Sequence, residues 1–148
     1  SDKIDEALTN YCPSNSRSQL IHSERGNQII ADAYNANPSS MRTALSNFLA
    51  IEPDLRPRIV ILGDMNELGT SSHEAHQELY QKLSSTTTPP LEIYLCGPHW
   101  REELGDQPQV YPNVEELIAH VEAHPITKSL ILVKGSNSIH LGKLLPYL

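Results

Sequence analysis

Three short apolar runs limit what this chain can fold into: Arg58–Gly63 (RIVILG), Leu91–Cys96 (LEIYLC) and residues 129–133 (SLILV). Each is strand-length rather than helix-length, and each meets a glycine at or just beyond its end; Arg58–Gly63 reads as a strand buried on both faces, 129–133 as a buried strand, and Leu91–Cys96 as a strand. Helical periodicity lies between them. Met41, Ala44, Leu45, Phe48 and Leu49 recur at spacings of three and four, a helix is expected near residues 73–83, and Val114, Leu117, Ile118 and Val121 form an apolar stripe introduced by Asn113. Strands alternating with helices predict an α/β fold: a mostly parallel sheet with helices on both faces.

The rest of the chain fits one such domain. Residues 4–11 read as a helical lead-in that Pro13 ends, and strands at 19–23 and 28–32 are separated by Glu24-Arg25-Gly26-Asn27, a hairpin spacing. Ser39 or Ser40 is placed to cap the following helix. Residues 109–111 read as a short strand, 97–99 as a loop, and the segment after Ser136 as a terminal helix. With one Trp and one Phe among 148 residues, the core must come from Ile, Leu, Val and Ala. That length suits a single domain needing neither disulfide nor metal to fold.

Charge and composition remove several classes of function. Eleven Lys and Arg against eighteen Asp and Glu give a net charge of −7, without the basic stripe of a nucleic-acid binder. No apolar stretch has the length of a bilayer span, and Ser1-Asp2-Lys3-Ile4 lacks the apolar core of a signal peptide. Cys12 and Cys96 are too few for a disulfide framework. A cytoplasmic protein with reduced thiols and no membrane or nucleic-acid partner is expected.

In open α/β sheets ligands bind beyond the carboxyl ends of the strands. Four polar loops follow directly on strands here, at 32–38, 63–72, 97–99 and 134–138, and all should open toward one edge. The first (DAYNANP) carries a carboxylate, a phenol and two carboxamides, groups able to hold ribose hydroxyls and stack on a base; the same residue types also serve ordinary turns and caps. The second (63–69, GDMNELG) offers Asp64 and Glu67 to a metal or an amine, or simply to solvent. The third (134–138, KGSNS) combines a Lys, a Ser and free backbone N–H groups, as in a carboxylate or phosphate cradle or in a capped strand-to-helix turn. His73 and His76 lack the spacing of a zinc-protease pair and read as surface or packed histidines; no metal site is assigned. The chain contains neither a Gly-x-x-x-x-Gly-Lys-Ser/Thr phosphate loop nor a Gly-x-Gly-x-x-Gly turn, which disfavours a stand-alone ATPase or dehydrogenase.

These loops resemble those of the Mur ligases, in particular the members that join D-Ala-D-Ala to UDP-N-acetylmuramoyl-tripeptide. Residues 31–41 (ADAYNANPSSM) are similar to the signature D-x-Y-N-A-N-P-x-S-M, residues 62–69 (LGDMNELG) to L-G-D-M-x-E-L-G, and residues 133–138 (VKGSNS) to V-K-G-S-R-S. They occur in the family's order, and the likeness runs from about Tyr11 to the end. It implies a Rossmann-like C-terminal domain at residues 13–148, preceded at 1–12 by the tail of a central domain. The N-terminal and central domains of the same polypeptide would hold the uridine nucleotide and the phosphate loop, so no catalytic residue is assigned here and the isolated domain is expected to be inactive.

The family's reaction transfers the γ-phosphoryl group of ATP, with Mg, to the tripeptide carboxylate; the amine of D-Ala-D-Ala then displaces phosphate to form the amide. By the same resemblance Arg17, Asp32, Tyr34, Asn35 and Asn37 would contact the nucleotide. Asp64, Glu67, Lys134, Gly135, Ser136 and Asn137 would serve the dipeptide side. Ser16 stands where the family's P-G-R segment has Gly, and Asn137 where it has Arg. A monomer is expected that binds ATP or dipeptide weakly when severed. The alternatives are a non-catalytic ligand-binding or interaction module of the same fold, and a neighbouring ligase adding a single amino acid or folate glutamates; the Tyr34-Asn35-Ala36-Asn37 stretch argues against the latter.

Overall fold

The computed structural model describes residues 19–32, 36–52 and 54–148. The lead-in helix expected at 4–11, and with it Cys12 and Arg17, lies outside the described residues. The first two strands, β1 (Gln19–His22) and β2 (Gln28–Asp32), form the expected antiparallel hairpin. Then follow α1 (Pro38–Ala50), β3 (Arg58–Gly63), α2 (Ser72–Ser85), β4 (Leu91–Cys96), α3 (Pro98–Leu104), β5 (Val110–Tyr111), α4 (Val114–Ala123) and β6 (Leu130–Lys134). The described strands form one six-stranded sheet in the order β1-β2-β6-β3-β4-β5, parallel except for β1. Among the described residues no helix is long and apolar enough to cross a membrane.

The continuous apolar runs are explained by cover on both faces. Every residue of β2, β3 and β6 is buried. On one face Ile30, Val60, Leu62, Leu95 and Leu132 pack against Met41, Leu45 and Phe48 of α1, Leu79 and Leu83 of α2, and Trp100 of α3. On the other, Ile29, Ile59, Ile61, Ile131 and Val133 meet Leu117 and Val121 of α4 and Leu141, Leu144 and Leu148 of the terminal segment. Side chains of successive strand residues alternate between the two clusters, as the pleat requires. Each fully buried Leu, Ile or Phe contributes about 1.5–3 kcal/mol.

Several local expectations are corrected. Asn37 rather than Ser39 or Ser40 caps α1: its side-chain oxygen accepts from Ser40 N at 2.8 Å, and Ser40 Oγ accepts from Asn37 N at 3.0 Å, a reciprocal capping box. Residues 97–99, read as a loop, open helix α3, for which Pro98 provides a first helical residue that has no N–H to satisfy. The terminal segment is not α-helical. It forms two 3₁₀ stretches, Asn137–Ile139 and Leu141–Tyr147, broken by His140 at φ 59° and carrying Pro146 inside the second. Asn113 caps α4 as expected, accepting from Glu116 N at 2.9 Å. Arg58, counted into an apolar strand, is 3% exposed and donates to the carbonyls of Phe48 and Glu52, closing the C-terminal end of α1.

The chain is tightest where β3 and β6 end side by side. A Cβ built on Gly135 would stand 2.7 Å from Gly63 Cα and 2.9 Å from Leu141 Cδ1. Gly135→Ala is therefore expected to cost about 1–3 kcal/mol, because backbone must move to admit the methyl group. Gly142→Ala, where nothing lies within 4 Å, should stay within about 0.5 kcal/mol of the parent. Urea denaturation of the two variants checks the contrast.

Candidate functional site

The pairings Asp32↔Lys134, Leu62↔Lys134 and Gly63↔Cys96 bring the carboxyl ends of β2, β6, β3 and β4 to one edge of the sheet. The four loops singled out in the sequence therefore open together. The segment following β6 packs on the opposite face from α1 and α2, which follow β2 and β3. Chain leaving adjacent strands for opposite faces marks a topological switch point, which here lies on either side of β6.

Register makes Asp32 and Lys134 direct neighbours. Lys134 Nζ donates to Asp32 Oδ2 at 2.7 Å, with the side chains 0% and 4% exposed. Two residues expected to face different ligands thus face each other, and neither side chain is open to solvent. The pair ties the loop after β2 to the loop after β6. Asn37 is exposed, with its carboxamide oxygen committed to the α1 cap, so the side-chain group it directs outward is the –NH₂. Tyr34, Asn35 and Arg17 lie outside the described residues.

Asp64 is completely buried. Its two carboxylate oxygens accept from His99 N at 2.9 Å and Trp100 N at 3.0 Å, at the start of α3. Burial raises its pKa above 3.8, and the two backbone N–H groups oppose that rise. Gly97, at φ 137°, leaves the room this requires, since a Cβ there would collide with the Asp64 carboxylate. Trp100 Nε1 donates to Gly63 O at 3.0 Å, fixing the same corner. Glu67 is exposed and adopts a left-handed φ of 63°.

The 134–138 loop leans on the 63–69 loop. Ser136 N donates to Asp64 O at 3.0 Å, Asn66 N donates to Ser136 Oγ at 2.9 Å, and the Asn66 carboxamide donates to Ser138 Oγ. Gly135 supplies the close backbone approach described above. Asn137 and Ser138 are exposed. Asn66 and Trp100 were not read from the sequence as parts of this arrangement. Asn66 lay inside a recognised motif, whereas Trp100 carried no signal beyond being the only Trp.

His76 is packed, with both ring nitrogens engaged, while His73 is exposed and pairs with Glu103 at 2.5 Å. No three of the described His, Cys, Asp and Glu residues are grouped to hold a metal ion. Cys96 is buried at the end of β4, and burial pushes its thiol up to about 12, which leaves it an unreactive packing group.

The fold is an α/β domain whose motif-bearing strand ends meet at the carboxyl edge of one sheet. The family model described as Mur ligase, glutamate ligase domain, matches residues 16–137, and the chain belongs to that family. It is homologous to ATP-dependent amide-forming ligases. UDP-N-acetylmuramoyl-tripeptide--D-alanyl-D-alanine ligase of Rickettsia prowazekii is 32% identical over 136 residues, covering 88% of this chain and 29% of the relative. A crystal structure of MurF from Acinetobacter baumannii superposes with a TM-score of 0.69 at 27% identity, over 93% of this chain and 30% of that one. The MurF ligase of Thermotoga maritima in complex with ADP shares the fold, with a TM-score of 0.65 at 22% identity over 90% of this chain and 30% of that one. The chain thus spans less than a third of the length of these relatives.

Removing one partner of the buried ion pair takes the 2.7 Å charged contact from the other. Lys134→Met is expected to cost about 3–5 kcal/mol, and the double variant Asp32→Leu with Lys134→Met should recover most of that loss. Chemical denaturation of the single and double variants gives both values.

Proposed function

We propose that this chain is the C-terminal domain, residues 13–148, of a ligase that joins D-Ala-D-Ala to UDP-N-acetylmuramoyl-tripeptide at the expense of ATP in the cytoplasm. Residues 1–12 are then the tail of the central domain. The observation that carries this reading is the union of three loops on neighbouring strand ends, 32–38, 63–69 and 134–138, through the Asp32–Lys134 ion pair and the Asn66–Ser136 hydrogen bond.

The loop beginning at Asp32 faces the nucleotide held by the preceding domains, with Asn37 offering its –NH₂ group and Arg17, Tyr34 and Asn35 completing the contact. The 134–138 loop receives the dipeptide, presenting backbone N–H groups and the hydroxyls of Ser136 and Ser138 to its carboxylate. Gly135 allows that loop to approach the neighbouring strand, and Asn137 lines its exposed side in place of the family Arg. Lys134 positions rather than contacts, because its ammonium is already held by Asp32. Asp64 likewise orders the acceptor side from beneath, and Glu67 stands at its rim. Mg²⁺ and the phosphate-binding residues belong to the other domains. Holding the acyl phosphate and the incoming amine together is the main contribution of a closing domain to such a reaction.

The test is ATP-dependent addition of D-Ala-D-Ala to UDP-N-acetylmuramoyl-tripeptide by the polypeptide that carries this domain together with the two preceding ones, and by the 148-residue chain alone. Activity is expected in the former and none in the latter. In the active protein Asp32→Asn should raise the KM for ATP about tenfold or more, because it takes the charged contact from Lys134 and releases the loop that begins at Asp32. Inactivity of the longer polypeptide would leave a non-catalytic binding module as the better reading.

A further inference from the structure

His76, which the function above does not use, is held in one tautomer by its surroundings. Its Nδ1 lies 2.7 Å from the carbonyl oxygen of Ser72. A carbonyl only accepts, so Nδ1 carries the proton and Nε2 is a bare acceptor. Met65 N donates to that Nε2 at 3.1 Å. The ring is fully buried and meets the Trp100 indole edge-on at 4.7 Å. The ionisable groups facing it are Asp64 from the loop after β3 and His99 and Glu103 from α3.

Met65 lies between the two residues that hold the acceptor loop. Asp64 accepts from Ser136 N, and Asn66 donates to Ser136 Oγ and to Ser138 Oγ. A protonated His76 would present N–H at both nitrogens, so the Met65 N–H would point at another donor. Met65 would then have to move, and Asp64 and Asn66 are bonded directly to it in the chain.

We propose that His76 is a positioning residue for the acceptor loop: its unprotonated Nε2 pins Met65, and through Asp64 and Asn66 fixes Ser136 and Ser138, so that protonating His76 loosens dipeptide binding. The link to dipeptide binding rests on the function proposed above; the pin itself does not. Burial lowers the pKa of His76 below its ordinary 6.5, with the Ser72 carbonyl and Asp64 opposing that shift. The pin is therefore complete above pH 6.5 and is lost as the pH falls through the lowered pKa.

Two substitutions separate pinning from mere packing. His76→Gln keeps an acceptor for Met65 N–H that does not titrate, and His76→Leu removes it. In the full-length ligase at about pH 8, His76→Leu should raise the KM for D-Ala-D-Ala about tenfold while moving the KM for ATP less than about twofold. His76→Gln should stay within about threefold of the parent, and its dipeptide KM should remain flat as the pH falls below the ordinary histidine range, where that of the parent rises. Equal effects of His76→Leu on both substrates, or an acid rise retained in His76→Gln, would overturn the proposal.

Amide NMR of this chain supplies a readout independent of activity. The Ser136 and Ser138 signals should shift in folded His76→Leu and hold their places in His76→Gln. If they behave so while the dipeptide KM does not respond, the pin stands and the acceptor role of the loop is wrong. If they fail to move in folded His76→Leu, the pin itself is wrong.

Discussion

The working edge of this domain depends on a lysine and an aspartate buried against each other at the ends of adjacent parallel strands. Lys134 and Asp32 are 102 positions apart in the chain and 2.7 Å apart in space. Two desolvated charges are costly unless paired, so wherever β2 and β6 end, these two side chains must end together. That requirement fixes the register of the two strands and brings the loops beyond them side by side. Glycine at 135 then lets the chain after β6 pass against Gly63 at van der Waals distance. A side chain there would separate the loops that the ion pair draws together.

Around that centre, buried and half-buried polar groups bind one loop to another. Asp64 uses both oxygens on the first turn of α3 and its carbonyl on Ser136. Asn66 holds Ser136 and Ser138, and His76 holds Met65. Loops carry function when a rigid scaffold fixes them, and here the scaffold includes the neighbouring loop. In the proposed ligase this is the geometry needed to keep an acceptor amine close to an activated carboxylate. In that proposal the domain contributes a preorganised edge and the rest of the ligase contributes the phosphate chemistry.

Much of this was legible from residue order alone. The apolar runs at 58–63 and 129–133 could be buried only by cover on both faces, and helical stripes along the chain supplied it, so the α/β class followed. Gly26 in a short polar connection marked the β1–β2 hairpin, and Asn113 marked the start of α4. Other features were hidden for identifiable reasons. Pro98 directly after Gly97 looked like a strand's end because both are breakers, yet proline also opens helices, and α3 begins there. The terminal segment had an apolar pattern compatible with a helix, but Gly142 and Pro146 oppose the α form and the chain settles into 3₁₀ turns. Asn37 outcompeted Ser39 and Ser40 for the α1 cap because Ser40 could answer it from three residues ahead.

By itself the sequence determined which segments must be buried, where the loops fall, and which chemical groups those loops carry, because these follow from side-chain type and spacing along the chain. It could not determine which of the polar groups would meet a ligand and which would meet each other. Lys134 and Asp32 each looked like binding groups, and only the strand order β1-β2-β6-β3-β4-β5 makes them neighbours. Asp64 looked like a solvated loop carboxylate until β3 and β4 were placed side by side, with α3 beginning above it. Partnerships between residues far apart in the chain are decided by sheet topology, and local periodicity carries no record of it.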